Sequence, residues 1–227
     1  MLDRLTSAVS ADVRGLLDRA LEQRELSTAD AERLLQVHGL DFHALIAAAD
    51  FARREDCGDD VTYVVCRNIN FTNVCYVGCS FCGFARHKDD HEDAFDRSHA
   101  EILAKCEDAI ARGATEVCIQ GGIHPNKDHT HYRDILRAIK AEYPKLHIHA
   151  YSPEEIDFGH KKSGMKLSEY LQWLVDAGLD TMPGTAAEIL DDEVRDILSP
   201  KKLKTARWLE IVRTAHRAST LVSQLLA

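Results

Sequence analysis

No apolar run in the 227-residue chain approaches the roughly 20 residues that span a bilayer. The first twenty residues, Met1 to Ala20, mix acids and bases and lack the apolar core of a secretory leader. Internal repeats and low-complexity tracts are missing too. A membrane protein, an exported protein and a repeat array are therefore not expected, and a cytoplasmic location is. Base is also scarce, with 28 Lys and Arg against 37 Asp and Glu for a net charge of −9, and the acids are spread along the chain. Phosphate recognition draws on clustered surplus cations, so nucleic acid is not an expected partner, and neither is an anionic membrane surface. What is present is apolar mass, 45% of residues, enough for one sizeable core and incompatible with disorder.

Three leading helices are predicted from apolar periodicity. Ala11 to Arg24 carries Val13, Leu16, Leu17, Ala20 and Leu21, and Thr28 to His38 carries Ala31, Leu34 and Leu35, with Ser27 or Thr28 as its cap and Gly39 as its end. Asp41 to Glu55 is the third. These helices hold no metal or phosphate motif and read as scaffold. After Gly58 the texture becomes β-branched. Strands are expected at Val61 to Val65 (with Arg67 to Phe71 as a second or its continuation), Thr115 to Gln120, Leu146 to Tyr151 and Leu179 to Met182. Helices between and after them are expected at Ser98 to Arg112, His131 to Glu142, Leu167 to Ala177, Ala186 to Leu198 and Thr205 to Arg217. Alternating strands and helices predict parallel β/α units in an α/β fold. Each strand ends in Gly, Pro or Ser, the loop chemistry of the face where such sheets place their sites. About four units are present, whereas a closed eightfold barrel takes ~250 residues, so a partial TIM-type barrel over 59–227 is expected behind a helical segment over 1–58.

Seven cysteines, an odd number, argue against a disulfide framework and for metal or reactive chemistry. Cys75, Cys79 and Cys82 stand at Cys-x3-Cys-x2-Cys on a segment with two glycines that follows a strand. On spacing alone, three close thiolates suit zinc, with His87 or His91 as a fourth ligand, or an iron–sulfur cluster with one open iron. Cys106 reads as a small core hydrophobe at helical spacing with Ile102, Leu103 and Ile110, Cys118 as part of a buried strand, and neither Cys57 nor Cys66 has ligand spacing to the triplet.

The triplet, with Phe81 just before its third cysteine, resembles the radical S-adenosylmethionine (SAM) superfamily. The stretches Asn68 to Cys82, Ala114 to Ile123, His147 to Pro153 and Pro183 to Arg195 resemble its deazaflavin (Fo) synthase family, and the likeness runs from about Leu16 to Arg217. The resemblance implies a 4Fe-4S cluster on Cys75, Cys79 and Cys82 and SAM beside it, with Phe81, Gln120, Gly121, Gly122 and Glu188 as SAM contacts and His149 and Tyr151 as substrate contacts. It implies transfer of the hydroxybenzyl part of L-tyrosine to 5-amino-6-(D-ribitylamino)uracil, and a companion radical SAM subunit that closes the deazaflavin ring. A futalosine-type menaquinone enzyme shares the cysteine block, but Tyr76, Gln120-Gly-Gly and Pro183-Gly-Thr-Ala-Ala-Glu fit the deazaflavin group better. A non-catalytic module binding zinc or a cluster is the alternative of a different class. Past Arg217 the chain reads Ala218 to Ala227 where the family continues through further strands, so a C-terminally truncated form is expected.

Several of these residues also carry plainer readings. Gln120-Gly121-Gly122 can be a tight turn, and Thr185-Ala-Ala-Glu188 is a capping-box pattern. His147, His149 and Tyr151 share a strand face by period two, which places them toward the lumen or in ordinary hydrogen bonds. Glu155 reads as a loop carboxylate that touches either cofactor or solvent, and His124, His129 and His131 read as solvated loop histidines.

Overall fold

A computed structural model of the chain describes residues 9–87 and 91–218. The chain divides into two compact units, Met1–Tyr63 and Val64–Ala227. In the first, α1 (Ala11–Leu21), α2 (Thr28–Leu35) and α3 (Gly39–Cys57) close over a small core of Val13, Leu16, Leu17, Leu34 and Val37. Ser27 caps α2 in a reciprocal box with Asp30, each accepting the other's backbone N–H. Gly39 opens α3 with φ +58° and does not end α2, whose last carbonyls are already taken by the Gln36 N–H.

The second unit is built on three parallel strands in the order β1 (Cys66–Asn70), β2 (Glu116–Gln120), β3 (His147–Ala150). Asn68 pairs with Cys118 and Cys118 with His149, so those three residues lie in one row across the sheet. The alternate row, Ile69, Val117, Ile119, Ile148 and Ala150, is buried in the main core. That core is covered by α4 (His99–Ala111) through Ile102, Cys106 and Ala109, and by α5 (Thr130–Glu142) through Tyr132, Ile135, Leu136 and Ile139. It also takes in α6 (Pro153–Ser163), α7 (Leu167–Asp176) and α9 (Thr205–Arg217). The three- and four-residue spacing of these contacts is the helical stripe read from the sequence.

The departures from the sequence expectations have local causes. Val61 to Val65 forms no strand; Val61 and Tyr63 stay 88% and 87% exposed, and pairing starts at Cys66, opposite the first residue of β2. The fourth strand shrinks to a single parallel bridge, His149 to Thr181. Pro183 follows immediately and has no N–H to donate, and the Asp180 side chain rather than a backbone carbonyl accepts from Ile148 N at 2.8 Å. The helix expected from Ala186 begins only at Asp192, as α8 (Asp192–Leu198), because Ala186 sits at φ +67°, a left-handed conformation that a right-handed helix excludes. Asp191 supplies its cap by accepting from Val194 N at 3.0 Å. Conversely, α6 has no counterpart among the expected helices. Ser152-Pro153-Glu154-Glu155 places a capping serine, a proline at the first helical position and a carboxylate at the third, a helix-start signature that apolar periodicity alone passes over.

Candidate active site

The residue after β1 opens a loop held at many points. Thr72 Oγ1 donates to Phe95 O at 2.7 Å, Asn73 bonds both Asp93 O and Phe95 N, and Cys75 N donates to Arg86 O at 2.8 Å. Arg86 in turn donates to the carbonyls of Gly83, Phe84 and Ala85 and pairs with Asp93. On the other flank, Tyr76 N donates to Ile123 O and Ser80 N to Leu198 O. The cysteine segment is therefore held by backbone bonds on both sides.

Beside it lies the turn that ends β2. A Cβ on Gly122 would stand 2.3 Å from Val74 O, and one on Gly121 2.7 Å from the Phe71 ring, so only glycine lets the turn approach the cysteine loop this closely. Between loop and turn is a cavity of about 260 Å³ whose lining includes Cys75, Cys79, Phe81, Cys82, Gln120, Gly121, Gly122, Glu155, Thr185, Glu188 and Lys202. The fold thus brings the three cysteines and all the expected SAM contacts to one place.

The remaining side chains set its electrostatics. Gln120 Nε2 donates to Thr185 Oγ1 at 3.2 Å. Glu188 forms no capping box, since no helix starts beside it. Its carboxylate instead meets Lys202 Nζ at 2.6 Å, and the Lys202 ammonium stands 5.6 Å from the Phe81 ring centroid. Burial raises the Cys79 thiol above its ordinary range, with the Lys202 charge opposing. Arg195, 2% exposed, donates to the carbonyls of Ala186, Ile189 and Leu203. One guanidinium thereby ties together the two stretches that carry Glu188 and Lys202.

Glu155 is fully enclosed rather than in a loop. One oxygen accepts from Gly121 N at 3.0 Å, and the other from Ser152 N and Oγ at 2.7 and 2.6 Å. Burial pushes its carboxyl up to about 7, while the hydrogen bonds from Ser152 and Gly121 resist the rise. Glu155, read from the sequence as touching either cofactor or solvent, lines the cavity from the start of a helix, and Lys202 is a lining residue for which the sequence held no signal.

His149 and Tyr151 do not join this group. His149 lies on the open, polar sheet face, where its Nδ1 is 2.6 Å from Thr181 Oγ1 and the same hydroxyl is 2.9 Å from His147 Nε2. Tyr151, expected beside it, falls past the end of β3 into the core, and its hydroxyl donates to Tyr132 O at 2.8 Å. Cys118 belongs to the half-covered polar row and not to the apolar one, a correction to its expected burial, while Cys106 is buried as expected and pushed up to about 11 by that burial. His124 is 7% exposed, and burial holds His131 down at about 4, so neither is a solvated histidine.

The donor set fits a cluster better than a single ion. Among the described residues no three His, Cys, Asp or Glu side chains converge closely enough to share one metal ion. His87 Nδ1 lies 3.2 Å from Cys75 O and His91 Nδ1 2.8 Å from Asp93, which leaves Nε2 as the remaining ligand atom of each ring. Three thiols spaced around one cavity suit a body with several irons.

A match to the Radical SAM superfamily covers residues 69–226, and the chain belongs to that superfamily. Its cofactors are a 4Fe-4S cluster and SAM. Within it, the chain is 49% identical over 94% of its length to FO synthase of Mycobacterium tuberculosis (strain ATCC 25618 / H37Rv) and 44% identical over 93% to 5-amino-6-(D-ribitylamino)uracil--L-tyrosine 4-hydroxyphenyl transferase of Microcystis aeruginosa. It spans 25% of the first protein and 57% of the second. The crystal structure of methylornithine synthase superposes with a TM-score of 0.63 at 20% identity, over 89% of this chain and 56% of that one. The FeFe-hydrogenase maturase of Carboxydothermus hydrogenoformans superposes at 0.64 and 18% identity, over 91% and 46%. These two establish the fold, a partial parallel barrel. No helix among the described residues is long and apolar enough to cross a membrane.

Proposed function

We propose that this chain carries the cofactor-binding part of a radical SAM transferase that joins the 4-hydroxybenzyl part of L-tyrosine to 5-amino-6-(D-ribitylamino)uracil in deazaflavin formation. The carrying observation is the convergence of Cys75, Cys79 and Cys82 with Gly121-Gly122 on one cavity, in a chain close to half identical to two proteins named for this chemistry. When bound, the cluster and SAM supply a one-electron reduction and a carbon-centred oxidant. The protein's part is position and enclosure. Cys75, Cys79 and Cys82 hold the cluster on a loop that backbone bonds have already shaped. Gly121 and Gly122 let the ligand lie against main chain, Gln120 and Glu188 flank it, and Phe81 lines one side of the cavity. His149, on the polar sheet face with Thr181, is offered to substrate. Tyr151 serves that face only by packing behind it. A cytoplasmic setting and a companion subunit that closes the ring complete the proposal.

The test is anaerobic reconstitution with iron and sulfide, then incubation with SAM, reductant, L-tyrosine and the diaminouracil, with products read by mass spectrometry. The expected result is a brown protein that yields 5′-deoxyadenosine and a hydroxybenzyl–uracil adduct. A protein that holds the cluster and cleaves SAM with no dependence on tyrosine, and forms no adduct, overturns the substrate assignment and leaves superfamily membership standing.

A further inference from the structure

The polar row of the sheet holds one hydroxyl with two claimants. Thr181, 5% exposed, sets its Oγ1 at 2.9 Å from His147 Nε2 and 2.6 Å from His149 Nδ1. A hydroxyl has one proton to give and two lone pairs with which to receive. Three polarities satisfy that count: His147 donates and His149 accepts, the reverse holds, or both rings donate. In the third the hydroxyl proton is stranded, since Thr181 Oγ1 has no further acceptor within reach among the described residues.

The group beside His147 decides between the first two. Glu116 Oε2 lies 3.6 Å from the same Nε2, and the two side chains are only 16% and 27% exposed. No Lys or Arg stands within 4 Å of this carboxylate among the described residues. Burial and the nearby Glu116 push the Cys66 thiol up to about 12, so it stays neutral and adds no competing charge. A ring nitrogen next to an unshared negative charge is favoured as N–H and disfavoured as a lone pair. His147 Nε2 is therefore the donor, the Thr181 proton turns to His149 Nδ1, and the proton of His149 is left on Nε2. Burial lowers His149 below the ordinary imidazole range, so its ring has only that one proton to place. Its Nε2 is neither enclosed nor hydrogen-bonded among the described residues. The relay thus ends in a donor on the polar face, suited to a carboxylate, phenol or carbonyl oxygen.

We propose that Glu116 and Thr181 are positioning residues that hold His149 in its Nε2–H tautomer, so that it selects an oxygen acceptor on the substrate. The inference rests on the reading of His149 as a substrate contact, but its tautomer can be measured without substrate. The first measurement is a set of long-range proton–nitrogen correlation spectra of the imidazoles in the full chain, with His147 and His149 assigned by H147Q and H149Q. The parent is expected to show His149 protonated at Nε2 and bare at Nδ1. E116Q removes the charge beside His147 and is expected to populate the opposite tautomer of His149 as well. In the T181V background E116Q is expected to leave the His149 signals unmoved, because the coupling runs through the hydroxyl, and T181S is expected to restore the parent spectrum. A parent His149 protonated at Nδ1, or an E116Q effect that survives T181V, overturns the proposal. If E116Q does not fold, T181V and T181S carry the test, with mixed tautomers expected in the first and one in the second.

The second measurement is equilibrium binding of L-tyrosine and, separately, of the diaminouracil to the reconstituted protein with SAM and without reductant. H149F has no donor and is expected to weaken one of the two at least tenfold, whereas H149Q keeps a donor and is expected to weaken it less than threefold. Loss confined to tyrosine places the acceptor on the amino acid, and loss confined to the diaminouracil places it on a ring carbonyl. Equal affinities in H149F and H149Q overturn the donor role. A parent that binds neither ligand overturns the substrate reading and the acceptor with it, a failure that the tautomer spectra keep distinct from failure of the relay.

Discussion

The two faces of the three-stranded sheet are made of alternating residues of the same strands, yet they share almost no chemistry. Ile69, Val117, Ile119, Ile148 and Ala150 point into the helices and are buried, while Asn68, Glu116, Cys118, His147 and His149 form a polar, partly covered row. Parallel sheets covered by helices on both sides read as continuous apolar runs, and this one does not. The helical face stabilises the unit, and the strand ends together with the other face carry the polar groups. Stability and function should therefore separate by substitutions one residue apart.

The largest effect is expected at the strand ends. Gly122→Ala drives a methyl into Val74 O, and Cys79→Ala removes a proposed ligand; both are expected to lose the cluster's visible absorbance on reconstitution, with far-ultraviolet circular dichroism retained. Retention of full cluster absorbance by either would dissolve the contrast. Next comes the apolar face, where Ile119→Ala should cost about 3 kcal/mol in urea denaturation, against less than about 1 kcal/mol for its neighbour Cys118→Ala. Trp173 and Trp208, the chain's two tryptophans, both lie in the second unit and report on it directly by fluorescence.

A pH series sharpens the same comparison from the helix side. Burial, aided by the Lys127 charge, lowers His131 from 6.5 to about 4, and its Nε2 has no partner. The folded unit thus favours the neutral ring, so its contribution is complete above pH 6.5 and is lost as pH falls toward 4. His131→Leu is expected to flatten that acid limb in denaturation curves at pH 7.5 and 4.5; an unchanged limb would place the acid sensitivity elsewhere. The smallest effect should come from Thr181→Val, which removes the hydroxyl shared by His147 and His149 on the polar face. Little change in stability is expected, with a shift in the imidazole signals of both histidines in the proton NMR spectrum.

Much of this was legible in the sequence wherever one residue type has one physical use. Thiol spacing and a glycine pair marked the cavity, and apolar periodicity located most of the helices within a few residues. What escaped depended on partners distant in sequence. The fourth strand was cut to one bridge by Asp180 taking Ile148 N, and Glu188 was drawn from an apparent capping box to Lys202. Tyr151 continued the polar alternation of β3 on paper, but its hydroxyl had a carbonyl waiting in α5. The helix that carries Glu155 escaped for the opposite reason, because its start signature at Ser152-Pro153 is local and carries no apolar periodicity.

Arg195 has a consequence for how the cavity rim comes apart. Its guanidinium closes a ring of carbonyls from Ala186 to Leu203. A lysine could occupy one of those oxygens but not bridge three, since it lacks the planar fork. Loss of this one side chain is therefore expected to release both ends of the rim at once, with faster hydrogen exchange at the amides beside Ala186, Ile189 and Leu203 in Arg195→Lys than in the parent.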